Sequence, residues 1–306
     1  MDSHSSSSKV AARVTSAPPA CGSTCSLTNV TCICANAALN QLIKSCVLDN
    51  CTVVDQLATT KYAKDACGVE PVDRTAQVII IPMVVGALAY LAYGLRVISI
   101  FHVRQRAWGL GDWAITAAVL FMTPIVFLSI PIASHGLGKD IWNVSPNDVS
   151  EILHIFYWDE FAYFSSIALT KISILLFYLE VFKRSAAGVR PVIYTLIVLN
   201  VLYALVFDLV SIFQCTPIPG AWLSWTGEYE ATCRNLNAQG WASAAVNIIL
   251  DVATVTLPLP ELWHLSLSRS KKLQVMFMFS LGFLVTIVSI LRLHTLVAFG
   301  ATTNMT

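Results

Sequence analysis

Charge is scarce in this sequence. Asp, Glu, Lys and Arg make up 12% of its 306 residues, about half of what a water-soluble domain carries. The deficit is matched by 56% hydrophobic residues and a mean hydropathy of +0.68. No Gly-rich phosphate loop, nucleic-acid motif, zinc-type Cys/His spacing or internal repeat is present, so nucleic acid is not an expected partner. No His/Asp cluster or nucleophile arrangement suggests an enzyme. His154, His264 and His294 stand alone and read as interfacial or packing residues. Residues 1–20 are Ser-rich and lack the apolar core of a signal peptide.

What is abundant is long apolar runs, and they are unevenly placed. The stretch before Gln77 is polar and holds seven of the nine cysteines. After it come six runs: Val78 to Phe101, Trp113 to Ser134, Phe161 to Phe182, Pro191 to Gln214, Gly240 to Trp263 and Gln274 to Phe299. Each is long enough for a helix across a hydrocarbon core of about 30 Å. Backbone amides have no water to bond in lipid, so each is expected to be helical. The third is expected to begin earlier, near Ile152, as an interfacial turn. The division is therefore a disordered segment 1–18, a cysteine-rich domain 19–76 and a membrane domain 77–306. The fold class is all-α: a small disulfide-rich helical head followed by a polytopic bundle.

Basic residues set the orientation. Arg96, Arg104 and Arg106, then Lys183, Arg184 and Arg190, then Arg269, Lys271 and Lys272 flank alternate loops, which are expected to face the cytoplasm. The other loops hold only Lys139 and Arg234. The N-terminus is then extracellular, and the expected membrane is the plasma membrane. Candidate glycosylation sites at Asn29, Asn50, Asn143 and Asn304 all fall on the outward side.

Cys21, Cys25, Cys32, Cys34, Cys46, Cys51 and Cys67 crowd the head. So small a domain cannot fold on packing alone, and an outward location is oxidising, so disulfides are expected rather than a metal. Apolar spacing predicts a helix from Asn36 to Val47 and a short one from Val53 to Leu57. An odd cysteine count leaves one thiol unpaired or paired between chains. The run Pro19-Ala20-Cys21, then Cys32-Ile33-Cys34, Cys46, Cys51 and Cys67-Gly68 resembles the fungal CFEM domain. That family has eight cysteines, and this chain offers seven before the first span. Haem-binding members place an Asp ligand where Asn29 stands here. A neutral amide ligates ferric iron poorly, so neither haem nor a metal is the expected cofactor.

The membrane half resembles fungal rhodopsin-domain proteins, including the satratoxin-cluster type. The resemblance rests on Gly-Leu-Gly-Asp-Trp at 109–113, His-Gly-Leu-Gly-Lys at 135–139, Ala-Leu-Thr-Lys-Ile-Ser-Ile-Leu-Leu-Phe-Tyr at 168–178, Phe-Gln-Cys-Thr-Pro at 213–217, Leu-Pro-Leu-Pro at 257–260 and Ser-Leu-Gly-Phe at 280–283. It implies seven helices, of which six are present, and coupling of basic cytoplasmic loops to a heterotrimeric G protein. Six spans leave the C-terminus outside, so both ends read as though an opening and a closing exon were missing. Lys171 is not expected to hold retinal, because the attachment lysine of true rhodopsins lies on the seventh helix.

Cys215 and Cys233 bracket an outward loop with Trp222, Trp225 and Tyr229; a bridge there reads as a staple, a lid over an outward cavity, or both. Charges inside spans are costly and face protein or water. Lys171 and Asp251 lie near mid-span at equal depth, where an ion pair is allowed. Glu160, Asp208 and Arg292 lie nearer the outer end. They read as a polar cluster lining an outward pocket, or as a structural device that sets helix packing. The expected function is receptor-like sensing of an unidentified extracellular ligand. The alternatives are a transporter or channel, and haem or iron capture by the head.

Overall fold

The computed structural model describes residues 30–104, 107–181 and 189–258. Cys21, Cys25, Asn29, Arg292, Asn304 and the run from Gln274 to Phe299 lie outside the described residues, as do the basic groups at Lys183, Arg184, Arg269, Lys271 and Lys272. The head contains three helices: α1 (Val30–Ala35), α2 (Ala37–Asn50) and α3 (Val53–Ala66). Side-chain caps start the last two. Asn36 accepts from the Leu39 amide at 3.1 Å, and Thr52 accepts from the Asp55 amide at 3.3 Å, each satisfying an otherwise unpaired N–H of the first turn. The third helix runs to Ala66, well past the predicted Leu57.

Four helices in the described residues are long and apolar enough to cross a membrane. These are α4 (Thr75–Ile98), α5 (Leu110–Ser134), α6 (Pro146–Val181) and α7 (Val189–Ile212). A π-helical turn, Ser99–Arg104, continues α4. After α7 come a two-residue strand β1 (Cys215–Thr216), a short helix α8 (Gly220–Leu223), a strand β2 (Thr232–Cys233) and α9 (Leu236–Thr256). The predicted fifth run corresponds to α9, which starts four residues earlier, at Leu236. The strands pair antiparallel, with Cys215 opposite Cys233.

The surface of these helices is inverted relative to a soluble protein. Ile80, Val84, Leu88 and Leu91 of α4 and Val198 and Leu205 of α7 are exposed. Lys171, Asn200, Asp208, Asn247 and Asp251 are buried. Apolar outside and polar inside is what lipid, rather than water, selects.

Helix α6 is the axis of the bundle. Its 36 residues span about 54 Å, so it outruns the hydrocarbon core at one end. Ser145 begins it: its hydroxyl donates to the Asp148 carboxylate at 2.6 Å and accepts from the Asp148 amide at 3.2 Å. Pro146, at the first helical position, loses nothing by lacking an N–H. Phe164, Ala168, Leu175 and Tyr178 of α6 pack against Ile193, Leu196 and Tyr203 of α7 and Leu250 of α9. Helices α4 and α5 meet where Gly86 faces Val126: a Cβ at Gly86 would stand 2.8 Å from a Val126 methyl.

Candidate functional site

Two motifs act at the ends of the bundle. At the end away from the head, Asp112 of the Gly-Leu-Gly-Asp-Trp run is buried and accepts from Arg96 Nε at 3.1 Å and Nη2 at 2.9 Å. Its second oxygen accepts from the Gly109 amide at 3.0 Å, capping α5. Helix α5 meets α6 here, where the Ser173 hydroxyl donates to the Gly111 carbonyl at 2.8 Å.

At the other end, the His-Gly-Leu-Gly-Lys turn holds the head. Gly136 and Gly138 have φ of +105° and +97°, a region that only glycine enters without strain. The Arg74 amide donates to the Gly138 carbonyl at 2.7 Å, and Asp73 bridges to Lys139 as an antiparallel pair. The Val72 amide donates to Asp140 at 3.0 Å. Lys64 of α3 lies over the Trp142 ring at 5.8 Å. His135 meets Asp148 at 2.8 Å, tying the turn to α6.

The loop between α7 and α9 closes over the same end. Cys215 and Cys233 are disulfide-bonded. Trp222 stacks on His154 at 4.3 Å and meets Tyr157 edge-on at 5.5 Å. Trp225 donates to Ser150 at 3.0 Å. Tyr229 is half-buried in the same loop. His154, read from sequence as an isolated residue, is thus a platform for the loop, and it also accepts from Trp158 Nε1 at 3.4 Å. The tip of α6 reaches this loop because the helix is longer than the membrane is thick.

Below the loop a polar column descends between α6, α7 and α9. Tyr157 donates to the Ile212 carbonyl at 3.2 Å. Next, the Gln239 amide donates to Ser211 at 2.8 Å and to Glu160 at 3.3 Å. Ser165 then donates to Asp208 at 3.0 Å. At the inner tier, Lys171 Nζ contacts Asp251 at 3.0 Å and donates to the Asn247 side-chain oxygen at 2.7 Å and main-chain carbonyl at 3.0 Å. Asn247 in turn donates to Asp251 at 3.2 Å. Four of the five intramembrane residues selected from sequence therefore lie on one seam, in two tiers. Arg292 lies outside the described residues.

Sequence reasoning passed over Asn247, Gln239, Ser211 and Ser165. The signal existed: Gln239, Ser243, Asn247 and Asp251 recur every fourth position on α9, which puts all four on one face. Charge alone draws attention to Asp251 and hides the stripe it belongs to.

In the head, Cys34 and Cys67 are disulfide-bonded, and Cys32 is in a disulfide as well. Cys46 is half-buried on α2, while Cys51 is an exposed free thiol. Asn50 is exposed at the end of α2, and Asn143 is half-buried in a 3-10 turn at the docking surface. A shallow open groove of about 420 Å³ is lined by Val30, Thr31, Cys34, Ala35, Ala66 and Cys67. None of these six residues carries a carboxylate or an imidazole, and the two sulfurs are bonded to each other. Among the described residues no group of three His, Cys, Asp or Glu side chains converges as a metal site.

The fungal rhodopsin domain model matches residues 95–306, and the CFEM domain model matches residues 14–68. The chain is similar to an SAT4 family membrane protein of Emericella nidulans, 29% identical over 190 residues that cover 62% of this chain and 49% of the other. It is similar also to wortmanamides biosynthesis cluster protein C of Talaromyces wortmannii, 27% identical over 210 residues, 67% and 56% of the two chains. The chain thus spans about half the length of the curated relatives it matches. No solved structure matches it.

Proposed function

Because the chain belongs to the fungal rhodopsin-domain family and carries a CFEM head, we propose that it is a receptor-like protein of the fungal plasma membrane. In this reading the head lies outside and senses a surface or host cue, and the basic loops engage a heterotrimeric G protein inside. The observation that supports it most is the docking of the head. Residues Val72 to Arg74 leave the head and bond directly to the Gly138–Asp140 turn between α5 and α6. A ligand that shifts the head therefore shifts the tip of the axial helix, since His135 of that turn is paired with Asp148 on α6. Transmission through a contiguous packed path needs an element with two arrangements, and the polar column is the candidate for it.

Loading of a non-hydrolysable GTP analogue on Gα, in fungal membranes with and without the full chain, tests this reading. A few-fold rise that the Gly138→Ala variant removes supports it. Equal loading with and without the chain overturns it. A transporter, the alternative use of the same buried charges, would instead show tracer-ion uptake into vesicles.

A further inference from the structure

Asp208 is the group the column does not explain. It is 8% exposed, sits in the apolar span α7, and accepts one hydrogen bond, from Ser165, on Oδ2. Its Oδ1 is buried without a hydrogen-bond partner among the described residues. Gln239 repeats the pattern: it is 8% exposed, and its Oε1 is buried without a partner among the described residues. The orientation of that amide is fixed by Glu160, because turning it over would point its oxygen at a carboxylate oxygen now 3.3 Å from the nitrogen. Both orphaned oxygens belong to residues of this seam. Asp208 and Ser211 are three residues apart, stacked on one face of α7 about 5–6 Å apart at Cβ, and the Gln239 amide is bonded to Ser211.

We propose that this tier is a binding site for a small monovalent inorganic cation, with sodium as the type ion. Asp208 Oδ1 supplies the charge, Gln239 Oε1 a neutral carbonyl-type oxygen, and the hydroxyls of Ser165 and Ser211 complete the donors. Oxygen-only sets select hard cations. The four donors named include one carboxylate, since Glu160 is engaged by the Gln239 amide nitrogen, and a divalent ion takes several carboxylates or keeps much of its water. An ionised carboxylate at this depth is costly without a cation beside it, and among the described residues Lys171 of the same seam is committed to Asp251 and Asn247 one tier inward. The site does not depend on the chain acting as a receptor.

The test is the unfolding temperature of the purified full-length chain in lipid nanodiscs, with sodium chloride replaced stepwise by choline chloride at constant ionic strength. A ligand that binds only the folded state stabilises it by mass action, so sodium at tenfold its dissociation constant should raise the midpoint by about 2 °C. Asp208→Asn should abolish the sodium response. Should that variant fail to fold, Ser165→Ala keeps the carboxylate and should weaken the sodium response without removing it; radioactive sodium binding by the unaltered protein then gives a second readout, near one ion per chain. Several results overturn the proposal: identical curves in sodium and choline, a sodium response that survives Asp208→Asn, or a midpoint that follows pH alone. The last would mean that Asp208 holds a proton.

Discussion

Lys171 and Asp251 meet at 3.0 Å across the seam between α6 and α9, each 6% exposed. Asn247 is bonded to both. Such a triad has large opposing terms: desolvation of two charges against their attraction and hydrogen bonds. Removing one partner strands the other. Lys171→Met is therefore expected to lower stability by about 3–5 kcal/mol, read as the thermal midpoint of the monodisperse peak in size-exclusion chromatography.

The charge swap at this pair is expected to restore only part of the loss. The Asn247 carboxamide can turn over to serve a carboxylate at position 171. Its main-chain carbonyl, which now accepts from Lys171 at 3.0 Å, cannot. The apolar double variant Lys171→Met with Asp251→Leu should recover more than the swap. If the swap matches the unaltered chain, the main-chain contact is unimportant.

The close approach at Gly86 gives a prediction about the α4–α5 seam. Gly86→Ala places a methyl within 2.8–2.9 Å of both Val126 methyls, an overpacking that typically costs about 1–3 kcal/mol. Val126→Ala in the same chain removes the clash. The double variant should be more stable than Gly86→Ala alone, which a thermal-shift cycle measures. Additive losses would place the cost of Gly86→Ala elsewhere.

Much of this architecture was legible in the sequence because lipid makes simple demands. Runs such as Val78 to Phe101 had to be helices once their length and apolarity were seen, and observed helices begin within about three residues of three predicted starts. The third start was less legible. Ser145 and Pro146 are a strong start signal, but they lie outside the apolar run that defines a span, and that run points to a start near Ile152. The site was half legible. Charged residues in apolar runs announce themselves, whereas Gln239 and Ser211 are unremarkable by composition and gain meaning only through each other. The head docking was not legible at all. Gly138 signals a turn, but nothing local says that Arg74, distant along the chain, lies against it.

The Cys215–Cys233 bridge closes a short loop, with a sequence separation of 18. The chain-entropy relation assigns such a loop about 3 kcal/mol. Replacing both cysteines with serine should lower the thermal midpoint accordingly. The loop should remain in place at lower temperature, since Trp222 and Trp225 hold it to α6 independently. Tryptophan emission near its unaltered maximum below the transition would show this. A large red shift at low temperature would mean that the bridge, rather than the two rings, seats the loop.

The head docking makes the sharpest structural prediction. A Cβ at Gly138 would lie 2.8 Å from the Thr75 amide nitrogen and 2.9 Å from the Arg74 carbonyl carbon. Both are backbone atoms that cannot rotate away, and the φ of +97° adds strain for any L side chain. Gly138→Ala should therefore displace the 72–75 segment from the turn while leaving α5 and α6 assembled. Limited proteolysis should then cut the segment between Gly68 and Thr75 markedly faster than in the unaltered chain, releasing the head. Gly227→Ala is a suitable control: it also has a positive φ, +78°, but a Cβ there meets nothing within 4 Å. It should carry backbone strain alone and leave the cleavage rate at the head unchanged. If both variants accelerate cleavage alike, general destabilisation rather than undocking is the cause.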